Sequence, residues 1–433
     1  MTRLVFRVEE AKVSARERKS EIQVLLYGSH APYSHVATVG AQAREESARM
    51  GVQPTPEAMD LLSVAMAVTA ADTFVAREDA PDGWSRHFEI ELPLCQPKLW
   101  ESLEPTLTDA LRFLSSDTWS FTFTKGGMRP PTLSELGRYR RVLDLTRADC
   151  TALFSGGLDS AIGALDLLEG GARPLLISHA SRGDATKQEA VGARLPSVCQ
   201  RLSVNTYPTW EGIDDDSMRT RSFQFLALGV LAASCMSQVR GGIIKLFVCE
   251  NGLIALNPPL TPRRIGSHST RTCHPYFLNG FRALVEALKL PVVIENPYEW
   301  RTKGEMVAAH RAHKGFRQLA AETVSCGKWK RKNQQCGRCV PCLIRRSALH
   351  AGGLIDDTNY QFPDLMAVMK DEDGRDDLIA IQAAIMRGGS FASWVSQSGP
   401  LPIEDAERNH YLDVARRGLN ELADYLRSEG FRL

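Results

Sequence analysis

Runs of apolar residues punctuate this chain at lengths that suit strands and helices in turn. Residues 4–8, 22–27, 87–92 and 120–123 read as strands. Residues 57–75 and 99–113 carry apolar positions three and four apart and read as helices, so the segment 1–145 is expected to be an α+β unit. A Pro- and Gly-rich joint at 126–131 marks the approach to a linker. Beyond it, apolar runs at 152–154, 174–177, 202–207, 243–248 and 291–294 are separated by helical patterns. That alternation predicts a mainly parallel sheet with helices on both faces. Residues 378–386 and 411–426 repeat apolar positions at helical spacing with salt-laced polar faces. The predicted fold class is α/β: a parallel-sheet core over 146–355, preceded by the α+β extension and followed by a helical extension over 356–433.

Composition narrows the function. At 433 residues the chain exceeds the ~250–300 at which one core usually stops growing, so two or three domains are expected. A net charge of +1 argues against a nucleic-acid substrate held by phosphate contacts. The chain does not begin with a secretory signal pattern, and its longest mainly apolar stretch, 223–236, is too short to span a bilayer. A cytoplasmic protein without a membrane partner is expected, where thiols stay reduced.

The most informative segment is Phe154-Ser155-Gly156-Gly157-Leu158-Asp159-Ser160, at the end of an apolar run and the start of a helical pattern over 158–168. Two glycines let backbone approach an anion, the first N–H groups of a helix lack internal partners, and the helix dipole favours negative charge. Ser155 and Ser160 add hydroxyl donors, and Asp159 is a ligand for the Mg²⁺ that accompanies a nucleotide. The plain alternative is a Ser-Gly-Gly turn with an Asp near a helix start. No Lys follows at the spacing of a Walker P-loop. Strands of such a sheet deliver ligands beyond their carboxyl ends, and His179, Tyr207, Glu250 and Asn251 follow other strands there.

Ten cysteines are present, and four of them, Cys326, Cys336, Cys339 and Cys342, fall within seventeen positions. Thiolates at these spacings close a tetrahedral zinc site, and four sulfurs leave no open position, so this zinc is structural. The other six are scattered and read as buried free thiols. The run 328–332, Lys-Trp-Lys-Arg-Lys, lies inside the zinc loop and reads as a solvated face, with a phosphate or acidic-partner clamp as the alternative.

The Ser-Gly-Gly-x-Asp-Ser loop resembles that of the ATP pyrophosphatases, and the zinc signature Thr323-Val-Ser-Cys326 with Cys336-Gly337-x-Cys339-x-x-Cys342 resembles that of QueC, the 7-cyano-7-deazaguanine synthases. Arg221-Ser222-Phe223-Gln224-Phe225, Thr272-Cys273-His274-Pro275-Tyr276-Phe277 and Thr302-Lys303-Gly304-Glu305-Met306 resemble further QueC segments, in the same order. The resemblance covers roughly 148–355. It implies an ATP-pyrophosphatase core that adenylates 7-carboxy-7-deazaguanine with ATP and Mg²⁺ and then accepts an amine. It implies ATP contacts from residues 154–160 and His179, catalytic roles for Asp159, Ser160, Arg221 and Lys303, and substrate contacts from Glu250, Asn251, Cys273 and His274.

Departures accompany the matches. Ser181 to Lys187 replaces the family's Tyr-Gly-Gln-Arg-His stretch, Ser222 replaces an Asn, and Thr272 replaces an acid. Long QueC-like chains with N-terminal extensions resemble QatC of the Qat antiphage operon. That similarity implies a partner protein's N-terminal amine as acceptor, with the extension binding that partner. Ordinary synthesis of 7-cyano-7-deazaguanine from ammonia is the alternative, and a nucleotide-binding scaffold without turnover is an alternative of another class. A tRNA-modifying relative would bring a basic surface or a catalytic cysteine pair, and neither is evident.

Overall fold

The computed structural model describes residues 1–18, 21–136, 142–179, 184–211, 215, 219–261, 271–328, 333–372 and 374–433. Residues 181–183 of the divergent segment and 329–332 of the basic run lie outside them.

Two five-stranded sheets organise the chain, and every strand pairing in both is parallel. The first contains β1 (Thr2–Arg7), β2 (Glu21–Leu26), β3 (Val36–Val39), β4 (His87–Leu94) and β5 (Thr118–Lys125), in the order β3-β2-β1-β4-β5. Its helices α1 (Pro56–Phe74) and α2 (Pro97–Ser115) lie on one face. Its other face is polar: Arg3 and Arg7 of β1 both pair with Glu91 of β4, at 2.8 Å each. Parallel sheets are ordinarily covered on both faces. Here cross-strand ion pairs occupy the open one. Strands and helices occur in this segment as the pattern predicts, while their parallel pairing is something apolar spacing does not encode.

The second sheet contains β6 (Cys150–Leu153), β7 (Pro174–His179), β8 (Arg201–Val204), β9 (Ile244–Phe247) and β10 (Val292–Glu295), in the order β10-β9-β6-β7-β8. The chain leaves β6 toward β7 on one side and later returns to β9 on the other. A crevice therefore opens at the carboxyl ends of β6 and β9, the switch point where doubly wound sheets hold ligands.

Helix α3 (Leu158–Glu169) follows β6, and α4 (Arg221–Arg240) packs against β6, β7 and β9 and against α1. The short α5 (Gly252–Leu256) follows β9. Helix α6 (Pro275–Ala287) packs against α2, so two pairs of helices lie between the two sheets. One hydrophobic core runs through this layer from Leu4 to Ile294 and crosses residue 145 without a break. Among the described residues α4 alone is long and apolar enough to cross a membrane, and its central window is 83% buried in that core. On the far side of the second sheet lie α3, α7 (Lys303–His310) and α8 (Val340–Ala351), and α9 (Asp405–Ser428) covers α8 from outside.

Two features join the segments beyond apolar packing. The edge strand β3 is closed by the loop after β8: Thr38 and Thr209 exchange backbone hydrogen bonds at 2.9 Å, and Gly40 donates to the Thr206 carbonyl. Asp72 at the end of α1 accepts from the Thr220 backbone and hydroxyl at 3.0 and 2.9 Å, directly before α4. Its other oxygen takes Arg86 at 2.5 Å, and Arg86 and Arg77 together clasp the fully buried Asp117. Burial works to raise the Asp117 pKa, but these guanidiniums hold it below the usual carboxylate range.

Candidate active site and zinc centre

Phe154 ends β6 with its ring in the core, and its carbonyl accepts from the Ser178 hydroxyl at 2.9 Å. The chain then turns through Gly156 at φ +80°, a left-handed conformation that favours glycine. Ser155 Oγ accepts from the Gly157 N–H at 3.3 Å and meets Ser160 Oγ at 3.2 Å. Gly157 begins α3 without a side-chain cap, which leaves the first N–H groups of the helix available. Leu158 packs inward, and Asp159 in the first turn is 5% exposed.

Asp159 gathers the switch point around itself. Lys303 Nζ, on the first residue of α7, lies 3.1 Å from its Oδ1. The Asn251 side chain donates to Oδ2 at 2.6 Å and the Asn251 backbone at 3.3 Å. Asn251 holds this position because its own Oδ1 caps α5 by accepting from Ile254 N. The Glu250 carboxyl hydrogen-bonds to Asp159. Burial, then the neighbouring Asp159 charge, pushes the Glu250 pKa well above the carboxylate range. Asp159 moves the other way, because Lys303 and the hydrogen bonds from Glu250 and Asn251 outweigh burial. The two neighbouring carboxyls are thus pushed apart in acidity, Glu250 upward and Asp159 downward. Strand-end spacing placed Asp159, Glu250 and Asn251 at one mouth, and the structure brings them together with Lys303, which only the resemblance had suggested.

The other predicted residues divide. Arg221 opens α4 and reaches the His179 carbonyl at 3.4 Å and Asp184 at 3.5 Å, at the carboxyl end of β7 beside β6. His179 itself is buried, and its carbonyl also accepts from Gln188 at 3.2 Å. The Cys273 thiol feels the negative charges of Glu250 and Asp159, and burial, first, then Glu250 raises its pKa. His274 serves the fold: its Nδ1 caps α6 by accepting from Tyr276 N, and its ring lies against Phe113 of α2. Burial, then Arg271, lowers its pKa to about 3, so it is neutral. Tyr207 turns out to solvent at φ +42° on the loop that closes β3.

Sequence reasoning missed Glu421. This α9 carboxylate accepts from the Thr302 hydroxyl and from Gly304 N at 3.1 Å, so it caps the helix that presents Lys303. No motif announces it, since the contact spans more than a hundred residues.

Cys326, Cys336, Cys339 and Cys342 are all buried, with their sulfurs within 4.8 Å of one another. The Cys336–Cys342 and Cys326–Cys339 sulfur pairs are 3.9 Å apart. A tetrahedron with metal–sulfur bonds of about 2.3 Å has edges of about 3.8 Å, so the residues fit zinc. Backbone N–H groups of Lys328 and Cys336 point at Cys326 Sγ, and that of Cys339 at Cys336 Sγ, each at 3.3 Å, stabilising thiolates. The loop leading to Cys326 touches the phosphate loop: Val324 N donates to the Gly156 carbonyl at 3.1 Å. Arg345 of α8 clamps the same loop through Thr323 Oγ1 at 2.6 Å. Zinc held here fixes one wall of the turn around Gly156.

Comparison with known proteins bears on the part of the site that begins at residue 271. Residues 271–353 match the family model of the queuosine biosynthesis protein QueC. The 7-cyano-7-deazaguanine synthase of Sinorhizobium fredii is 35% identical over 96 residues, 21% of this chain and 38% of that protein. Those of Rhizobium rhizogenes and Rhizobium meliloti are 35% and 36% identical over 95 residues, again 21% of this chain and 38% of theirs. The chain thus spans under two fifths of the length of these relatives. The family model's stretch holds the Cys273 turn, the Lys303 helix and all four zinc-loop cysteines, and through it the chain is QueC-like.

Proposed function

We propose that the chain uses ATP to adenylate a 7-carboxy-7-deazaguanine-type acid and passes the acyl group to an amine. One observation carries this reading: α3 and α7 begin at the same crevice, where Asp159 and Lys303 meet at 3.1 Å. The uncapped N-terminus of α3 and the lysine beside it suit a triphosphate. Two adjacent carboxyls are the donor set that Mg²⁺ takes with phosphate oxygens, and the ion, when bound, supplies charge neutralisation there.

In this reading the N–H groups of the α3 first turn and the hydroxyls of Ser155 and Ser160 hold the phosphates. Lys303 leaves Asp159 to neutralise charge on the transferring phosphorus, and Arg221 closes the β7 side. A carboxylate oxygen of the acid attacks the α-phosphorus, and the bond to the bridging oxygen breaks to release pyrophosphate. The amine nitrogen then attacks the acyl carbon of the mixed anhydride, the C–O bond breaks, and AMP leaves while the amine loses a proton. Positioning and charge neutralisation account for most of the expected rate gain.

The acceptor in this proposal is the N-terminal amine of a partner protein in a Qat-type antiphage setting, in the cytoplasm, with residues 1–145 binding that partner. Support comes from the N-terminal unit, which lies wholly outside the stretch matched to the synthases. The second reading, with ammonia as acceptor and a further ATP-driven dehydration to the nitrile, is favoured by the synthase activity for which those relatives are named. Incubation with ATP, the acid and the partner encoded beside this gene, followed by intact mass measurement, separates the two. A partner heavier by the acyl group supports the proposal. An unmodified partner beside free nitrile contradicts it and supports the second reading.

A further inference from the structure

Far from the crevice, the last turn of α3 and the end of α7 bring a second set of metal-ligating side chains together. Asp166 and Glu169 are three residues apart and share a helix face. His310 closes α7, and His313 follows one turn later. His310 Nε2 lies 2.8 Å from Asp166 Oδ1, its Nδ1 lies 3.7 Å from Glu169 Oε2, and His313 Nε2 lies 2.8 Å from Glu169 Oε1. One ligand atom from each of Asp166, Glu169 and His310 falls within 4.8 Å of the other two.

The His310–Asp166 contact is not an ordinary hydrogen bond. The imidazole is 4% exposed, packed against Phe316, and its Nε2 has no hydrogen-bond partner of acceptable angle despite the 2.8 Å approach. Tyr298 donates to the other oxygen of Asp166, which leaves Oδ1 turned toward the histidine. The carboxylates are 40% exposed, so an ion has a path from solvent.

We propose that Asp166, Glu169 and His310 bind a divalent transition-metal ion, with His313 orienting Glu169. One imidazole and two carboxylates suit Zn²⁺ or Mn²⁺, whereas the all-sulfur set of the cysteine loop suits Zn²⁺. The ion joins the trailing ends of the two helices whose leading residues are Asp159 and Lys303. The seven residues from Asp159 to Asp166 put it roughly 10 Å along α3 from the crevice. It therefore fixes the axial register of α3 against α7, on which the Asp159–Lys303 contact depends.

Zinc content tests this independently of turnover. The full-length protein is equilibrated with Zn²⁺, freed of loose metal by gel filtration and analysed for metal per chain, beside His310→Gln and Glu169→Gln. Glu169 is partly exposed, and its Gln variant keeps the shape of the side chain, so folding is preserved. Two zinc ions in the wild type and one in each variant are expected. One zinc in all three proteins, or two in all three, overturns the clasp while leaving the cysteine site standing. One in the wild type and none in His310→Gln supports the clasp and contradicts zinc in the cysteine loop.

Discussion

Lys303 and Asp159 form an ion pair in a place where the proposed chemistry needs the lysine for phosphate and the carboxylate for a metal ion. The pair keeps both charges compensated while the crevice lacks substrate, since an unpaired buried charge is costly. Lys303→Met removes the neutralising charge and leaves Asp159 with Asn251 and Glu250. ATP-dependent pyrophosphate release is expected to fall by about 100-fold or more, the scale for losing one preorganised electrostatic contact. A steady-state assay that shows kcat within twofold of wild type removes Lys303 from the reaction. At this scale the sequence was legible where motifs are local. The turn at Gly156 and the four cysteines are contiguous patterns with direct physical meaning, whereas Lys303 came into view only through resemblance. The opposed shifts of Glu250 and Asp159 were not legible, because they depend on burial and on a neighbour far away in the chain. His274 shows the converse: a polar residue beside a recognised segment that the fold uses as a helix cap.

Elements carry a second lesson in how the Lys303 helix is held. Thr302 and Glu305 form a capping box at the start of α7, and Glu421 of α9 adds a carboxylate over the same N–H groups. Burial raises the Glu421 pKa to about 7, against the hydrogen bonds from Thr302 and Gly304 that lower it. The folded state then holds a proton that the unfolded chain has lost, so this group's contribution to stability falls as pH rises from the ordinary glutamate value through about 7. Glu421→Gln is expected to flatten that decline by about 2 kcal/mol, seen as a smaller drop in Tm between pH 5 and 8 than in the wild type. An unchanged slope excludes Glu421 from this role. Strand lengths were legible to within a few residues, with instructive exceptions. The run 202–207 ends as a strand at Val204 because the Asn205 side chain accepts from Tyr207 N and Tyr207 takes a positive φ, turning the chain toward Thr38. Strand β3 escaped notice because four residues, Val36 to Val39, carry too short a pattern to distinguish from a loop.

Across the whole molecule, the N-terminal sheet and the catalytic sheet share one core and one buried ionic cluster. Asp72 links that cluster to Thr220, at the entrance to the helix that begins with Arg221. The N-terminal unit therefore shapes the Arg221 side of the crevice from outside the QueC-like stretch. Asp117→Asn removes the carboxylate that Arg86 and Arg77 share and is expected to cost about 3–5 kcal/mol, read from the urea midpoint of the full chain. A loss below about 1 kcal/mol contradicts a structural role for the cluster. Helical periodicity and strand-length runs announced the α/β class, but neither could reveal this joint, because charged residues at 72, 77, 86, 117 and 215 share no local pattern.

The account's central claim is that ATP is split at the crevice around Asp159 to give AMP and pyrophosphate in answer to a deazaguanine acid. Full-length protein incubated with ATP labelled at the α-phosphate, with and without 7-carboxy-7-deazaguanine, tests it directly when the labelled product is separated by chromatography. Labelled AMP that appears only with the acid, and disappears in Asp159→Ala, is the predicted result; labelled ADP as the product, or AMP formed equally by Asp159→Ala, contradicts the account.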